Sequence, residues 1–502
     1  MLPITWSSAA PAQVANQLLA VAVRDEPDAA VLDARFGRAI REAVTAARFN
    51  GKPGESFTFT RTHGDQLERV ALIGIGDLAD AAQLRSFAHD AMRQAQTAGA
   101  ARVVLDVRSE LAGKHAWNDA KASKHAGDMI AQGCELGIYA YERFIAEDKR
   151  ARRTIKDVVV HADSTAPAEG TARGQIIAQS IARARDLVNG PAGVVTPTHL
   201  AATADEIVSA LKSDHDVALV VLDRDECAAR NMGCFLGVAQ GSDEPPKFIH
   251  MSYKPKATSR GRIALIGKGV TFDSGGYSLK PTDGMLDMKM DMGGAAAVIS
   301  AFEAAVKLQL PWEIHALVAA TENMVSGRAY RLGDVLISSS GKTVEINNTD
   351  AEGRLTLADA MTYARELSVD YMLDFATLTG ACMIALGPKI AGVMTKDDRL
   401  AEDWLAASQR VGESMWRLPL PDDLKEQLKS KIADMKNTGE RYGGAITAGL
   451  FLSEFAHGRW LHCDIAGPAM ASKPYGVTTV GGTGFPVATI LEFLSGDVRP
   501  AT

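Results

Sequence analysis

The chain has 502 residues, 46% of them hydrophobic and 23% charged, the balance of a soluble globular protein too long for a single core. Its 54 basic residues against 61 acidic ones leave a net charge of −7, which disfavours a chain built mainly to hold nucleic acid. Five cysteines (Cys134, Cys227, Cys234, Cys382, Cys463) without a CxxC pair argue against a disulfide framework, and no apolar run approaches the roughly 18 to 20 residues that span a membrane.

The N-terminus lacks a basic segment followed by an apolar one, so a cytoplasmic protein is expected. In chain order, residues 69–74 read as a buried strand and 82–98 as an amphipathic helix. Residues 102–107 are a second strand, 118–144 a long helix interrupted near Gly133, and 157–161 a further strand. Such alternation implies an α/β layer. Gly74-Ile75-Gly76-Asp77-Leu78-Ala79 has the spacing of a dinucleotide loop, but its helix and acidic partner are poorly placed, and a tight βα turn is the better reading. The basic cluster Lys149, Arg150, Arg152 and Arg153 reads as solvated surface. The small, polar stretch 163–170 marks a domain boundary. The expected division is an N-terminal α/β domain at 1–168, a linker helix within 169–190 (helical over 171–187) and a second α/β domain at 191–502.

In that second domain, strands are expected at 217–222, 247–253, 262–266, 313–321, 343–346, 371–377 and 461–465. Helices are expected at 225–231, 294–308, 357–367 and 445–455. A long Gly-rich loop should follow 262–266. It holds Gly267-Lys268-Gly269-Val270-Thr271-Phe272-Asp273-Ser274-Gly275-Gly276, placing Lys268 and Asp273 at the carboxyl end of a strand, where open α/β sheets bind ligands. No GxxxxGK[ST] is present, so Walker-type nucleotide binding is not expected. Lys280 follows in a Ser-Leu-Lys-Pro turn. Asp283, Asp287 and Asp291 recur at helical spacing, which alone would mark one solvated face. Asp291 stands apart because small residues, 293–297, follow it and let backbone approach a site closely.

Asn348-Thr349-Asp350-Ala351-Glu352-Gly353-Arg354-Leu355 sets two carboxylates and a guanidinium two residues apart. In an extended segment they would share one face. Locally two readings stay open: an acidic helix start, or ligands for a divalent cation beside an anionic substrate. Lys268, Asp273, Lys280 and Asp291 favour the second, because an isolated cap has no use for them. None of the eleven histidines lies inside these motifs, and HExxH is absent. That removes the common mononuclear zinc sites, and a carboxylate-rich site suits two divalent ions. No GxSxG or Cys/His pairing supports a nucleophilic triad.

These segments resemble the leucyl aminopeptidase family, the cytosolic M17 type. The octapeptide 348–355 is complete. The run 267–297, Glu322-Asn323-Met324, Ala329-Tyr330-Arg331, Ala376-Thr377-Leu378-Thr379-Gly380 and Asp464-Ile465-Ala466-Gly467 extend the match over roughly 180–490. The resemblance implies a macro-like N-terminal domain, a metallopeptidase domain with a mixed central sheet, and Leu-preferring release of N-terminal residues from peptides. It implies two divalent ions, Mn²⁺ or Zn²⁺. Lys268, Asp273, Asp291 and Glu352 would hold one, and Asp273, Asp350 and Glu352 the other. A hydroxide bridging the metals would attack a carbonyl polarised by metal and Lys280, while Arg354 would hold a bicarbonate ion as general base. Met288, Thr377, Leu378, Gly380, Ala466 and Ala469 would line the side-chain pocket. A homohexamer is implied as well. Tyr277, Leu332 and Phe485 depart from the family pattern at positions that bear on loop shape and substrate preference. An accessory DNA-binding role, known for some bacterial members, is the alternative, and the acidic net charge counts against it.

Overall fold

The computed structural model describes residues 1–10, 17–63, 66–77, 81–112 and 119–496. Leu78, Ala79 and Asn118, which figured in the expectations above, lie outside them. The chain divides into two compact units: Met1–Ala182 with Pro474–Thr478, and Arg183–Lys473 with Thr479–Thr502. The division falls within the helix Thr171–Asn189.

The first unit is a six-stranded mixed sheet built from β1 (Ile4–Ser7), β2 (Gln17–Arg24), β3 (Ser56–His63), β4 (Gln66–Gly76), β5 (Arg102–Asp106) and β6 (Asp157–His161). Its order is β1-β6-β5-β2-β4-β3, parallel except for the antiparallel β3–β4 pair. The apolar run of β2 is buried on both faces, as a central parallel strand requires. The helix expected to break near Gly133 instead runs unbroken over Ala120–Gly137. Gly133 is a crossing point rather than a break. A Cβ there would stand 2.3 Å from the Arg85 carbonyl oxygen of the neighbouring helix Ala82–Thr97.

The second unit carries β7 (Asp216–Leu222), β8 (Lys247–Lys254), β9 (Arg262–Asp273), β10 (Glu313–Asn323), β11 (Val335–Ile337), β12 (Thr343–Glu345), β13 (Tyr371–Ala376), β14 (Ala391–Met394), β15 (Met415–Arg417), β16 (Met435–Lys436) and β17 (Arg459–Asp464). Eight of them form a mixed sheet in the order β15-β14-β17-β13-β9-β10-β8-β7, with β17, β13, β9 and β10 parallel at its centre. The remaining β11, β12 and β16 form a small separate sheet. The helix Gly293–Lys307 packs against β9, β10 and β13. The helix Gly353–Glu366 shares one apolar core with Ala264, Ile266, Leu317, Ala319, Met372 and Ala376. β9 corrects the expectation of a loop after 266: the strand continues to Asp273, and Gly267 to Val270 are buried within it.

Between β8 and β10 lies a buried hydrogen-bonded chain. His250 Nε2 meets His315 Nδ1 at 2.9 Å, and His250 Nδ1 meets the Tyr363 hydroxyl at 3.1 Å. Burial, with His315 beside it, lowers the His250 pKa from 6.5 to about 4. The folded chain therefore binds fewer protons at this residue than the unfolded one between those values, and stability falls as pH drops through that window. His250→Gln should lose less stability than the parent between about pH 7 and about pH 5, read from urea midpoints. Equal losses would remove His250 as the cause.

Candidate active site and metal centre

β9 delivers the first two charged residues. Its alternation turns Lys268 to the same face as Ala264 and Ile266, toward the helix Gly353–Glu366, and Asp273 is its last residue. A bulge between Thr321 and Glu322 shifts the register of β10 so that Asn323 stands opposite Asp273. The Asn323 amide nitrogen then donates to Asp273 Oδ1 at 2.8 Å and to the Thr349 carbonyl at 3.0 Å. Gly275 and Gly276 follow with φ of 85° and 61°. A Cβ on Gly275 would lie 2.8 Å from Asp350 Oδ1, and one on Gly276 3.0 Å from Thr349 Cβ, so the glycines let residues 348–350 close on the strand end. Thr349 is locked there. Its hydroxyl donates to the Gly275 carbonyl and accepts from the Ser278 amide, both at 2.7 Å, and its carbonyl accepts from the Tyr330 hydroxyl at 2.7 Å.

The extended alternation expected for Asp350, Glu352 and Arg354 is not what the chain adopts. Glu352 has helical backbone angles (φ −79°, ψ −36°) and precedes a helix that begins at Gly353 rather than at 357. Its carbonyl accepts from the Leu355 and Thr356 amides, while its side chain makes no capping bond and turns to Lys268 instead. The backbone starts the helix and the carboxylate serves the site. The expected face of Asp283, Asp287 and Asp291 is also absent. The chain turns through the short helix Thr282–Met285 and the 3₁₀ turn Met288–Met290, which leaves Asp283 and Asp287 exposed and Asp291 only 3% exposed.

The structure brings all seven charged candidates to the carboxyl ends of β9 and β13 and the start of one helix. Lys268 Nζ lies 2.8 Å from Asp291 Oδ2, 2.8 Å from Glu352 Oε1 and 3.1 Å from the Thr377 carbonyl oxygen. The Thr377 hydroxyl donates to Asp291 Oδ1 at 2.7 Å. Lys280 Nζ lies 2.8 Å from Asp273 Oδ2 and pairs with Asp350 as well. One oxygen from each of Asp273, Asp350 and Glu352 falls within 4.8 Å of the others, a spacing that a shared cation suits. Glu352 Oε2 is buried with no hydrogen-bond partner, so the donor set has capacity for a metal.

Burial and mutual repulsion push Asp273, Asp291 and Asp350 above the ordinary carboxylate range, Asp350 to about 6. Glu352 is held below its usual value because Lys268 and Lys280 outweigh the burial that works the other way. Burial likewise opposes the ammonium groups of Lys268 and Lys280, yet the surrounding carboxylates raise both. Burial lowers Arg354 to about 10, which leaves it charged at neutral pH. Its Nη1 donates to the Asn437 carbonyl at 2.8 Å, and its Nε is buried without a partner.

Asn437 is a residue that sequence reading missed. Fully buried after β16, it accepts from the Asn347 amide at 3.0 Å and donates to the Asn348 carbonyl at 2.6 Å, bracing the start of the octapeptide. Nothing in the run Lys436-Asn437-Thr438 marks it; only the pairing of β16 with β12 places it. Of the pocket candidates, Thr377 and Ala469 converge: a Cβ built on Gly293 would lie 3.6 Å from Thr377 Cγ2 and 3.4 Å from Ala469 Cβ. Met288 is half-buried one turn before Asp291, Leu378 is half-buried, Ala466 is buried, and Gly380 is exposed at the start of the helix Gly380–Leu386.

The model of the catalytic domain of the cytosol aminopeptidase family matches residues 182–491, and that of the family's N-terminal domain matches 21–147. The chain belongs to the cytosol aminopeptidase family. Probable cytosol aminopeptidases of Picosynechococcus sp. and Acaryochloris marina are 44% and 45% identical to it over 467 and 472 residues, covering 92% and 93% of this chain and the same shares of theirs. Among solved structures, a mutant of tomato leucine aminopeptidase matches with a TM-score of 0.88 at 35% identity, over 99% of this chain and 96% of that one. A bottromycin maturation enzyme in complex with Mn matches with a TM-score of 0.83 at 34% identity, over 96% of this chain and 99% of that one. Membership in the cytosol aminopeptidase family makes this a metal-dependent aminopeptidase with the family's two-domain α/β architecture. No helix among the described residues is long and apolar enough to cross a membrane.

Proposed function

We propose that this aminopeptidase releases Leu-like N-terminal residues from peptides at a two-metal centre, Lys268, Asp273, Asp291 and Glu352 holding one ion and Asp273, Asp350 and Glu352 the other. The observation that carries the reading is the convergence of the Asp273, Asp350 and Glu352 oxygens within 4.8 Å, beside the unpartnered Glu352 Oε2. Buried carboxylates this close repel unless cations stand among them. Bound Mn²⁺ or Zn²⁺ would supply Lewis-acid polarisation of the scissile carbonyl and acidify water. A lysine amine is a ligand only without its proton, and divalent cations oppose the carboxylates that keep Lys268 charged. Lys280, less buried than Lys268, donates to the developing oxyanion. Arg354, with its Nε uncommitted, is assigned to hold a bicarbonate ion, whose chemistry is that of a general base. Met288, Thr377, Leu378, Gly380, Ala466 and Ala469 form an apolar, mid-sized pocket suited to a leucine or methionine side chain.

Chelation is expected to abolish hydrolysis of a leucine anilide, and added Mn²⁺ or Zn²⁺ to restore it. Full activity in protein shown by elemental analysis to be metal-free would refute the two-metal reading. The functional particle is proposed to be a cytoplasmic homohexamer, and a sedimentation mass equal to one chain would rule the hexamer out.

A further inference from the structure

Two pocket segments hang on one buried carboxylate that plays no part in holding metal. Asp464 closes β17 and is 0% exposed. Its Oδ1 accepts from the Leu378 amide at 3.1 Å, the Thr379 amide at 3.4 Å and the Ala466 amide at 3.1 Å. Its Oδ2 accepts from the Thr379 hydroxyl at 2.7 Å, and that hydroxyl accepts from the Cys382 amide at 3.0 Å to cap the helix Gly380–Leu386. The other end of the same segment is tied to the charged centre, through Lys268 Nζ on the Thr377 carbonyl and the Thr377 hydroxyl on Asp291. Residues 377–380 are therefore strung between the metal-ligand set and Asp464. β13 and β17 are parallel neighbours, so both pocket segments leave the sheet side by side at its carboxyl edge. A carboxylate acceptor makes stronger hydrogen bonds than a neutral one and can serve three amides at once.

We propose that Asp464 is the positioning residue of the substrate pocket: it fixes the 377–380 segment against Ala466 and so sets affinity and selectivity for the N-terminal side chain. This rests on the pocket assignment made above. The test compares Asp464→Ala, Asp464→Asn, Thr379→Val and Thr379→Ser on leucine and alanine anilides, with metal content measured alongside. Asp464→Ala and Thr379→Val should raise KM for the leucine substrate on the order of tenfold and shrink the Leu/Ala ratio of kcat/KM, while kcat stays within about threefold and metal is retained. Asp464→Asn keeps an acceptor oxygen and Thr379→Ser keeps the hydroxyl, so each should lie nearer the parent than its partner variant. A fall in kcat at constant KM, an unchanged Leu/Ala ratio, or loss of metal in step with activity would overturn the proposal. If Asp464→Ala does not fold, the Thr379 pair carries the same comparison. Ala466→Leu narrows the pocket directly and separates the two failures. If it too leaves the ratio unchanged, the pocket assignment falls and this proposal with it; if it moves the ratio while the Asp464 and Thr379 variants do not, the positioning role alone is wrong.

Discussion

Gly353→Ala is expected to strip metal from the centre and cut kcat/KM on the order of a hundredfold, the scale of misplaced reacting groups. A Cβ at this position would stand 2.4 Å from Lys268 Cε and 2.6 Å from its Nζ, inside any permitted contact. Lys268 can give way, but only by leaving Asp291 and Glu352, each 2.8 Å from its amine. At an ordinary helical position the same change would be stabilising by about 0.5–1 kcal/mol relative to glycine. Here the carboxylates left without Lys268 cost more than that gain, so the thermal midpoint should fall as metal content and turnover collapse together. Parent-like metal content with parent-like turnover would show that Lys268 relaxes without consequence, and its assignment as a ligand would fail. The lack of a side chain beside the lysine is thus part of the site, which neither helix propensity nor the octapeptide's charges suggested.

The layering was readable because apolar runs such as those of β2 and β13 must be covered on both faces, and helical periodicity intervened between them. β9 was cut short for a physical reason. Gly267, Lys268 and Gly269 look like a loop, yet Gly267 is a strand residue where a Cβ would stand 2.6 Å from the Ala295 amide nitrogen, and Lys268 is a buried lysine compensated by acids far away in sequence. Tertiary context overrode local propensity at the functional residues, where such conflicts concentrate. The candidate site was legible as a list because its charges cluster in two short segments. Its division of labour was not. Glu352 starts a helix with its backbone and meets Lys268 with its side chain, an arrangement that alternation in an extended segment could not express. Asn437, just after β16, and Asp464, at the end of β17, brace the site largely through backbone groups that carry no sequence signature.

Lys280→Met should lower kcat by about 10²–10³, the cost of removing one preorganised donor to a developing oxyanion, while metal content stays near that of the parent. The two lysines differ in a way that supports the tasks proposed for them. Lys268 has 3% of its side chain exposed and spends its amine on Asp291, Glu352 and the Thr377 carbonyl; Lys280 has 16% exposed and reaches Asp273 and Asp350 from the open side. The greater exposure of Lys280 supports its proposed role of meeting the substrate carbonyl. Burial opposes its charge, yet the carboxylates beside it raise the Lys280 pKa. Its loop is held independently, by the Lys280 amide on the Ser274 carbonyl at 3.0 Å, so truncation of the side chain leaves the backbone in place. Methionine keeps most of the length without the charge, and a KM close to the parent's is expected, because the interaction forms with the transition state rather than the ground state. A rise in KM at unchanged kcat would make Lys280 a ground-state binding group, and a parallel loss of metal would make it a ligand support; either result would end its assignment as the oxyanion donor.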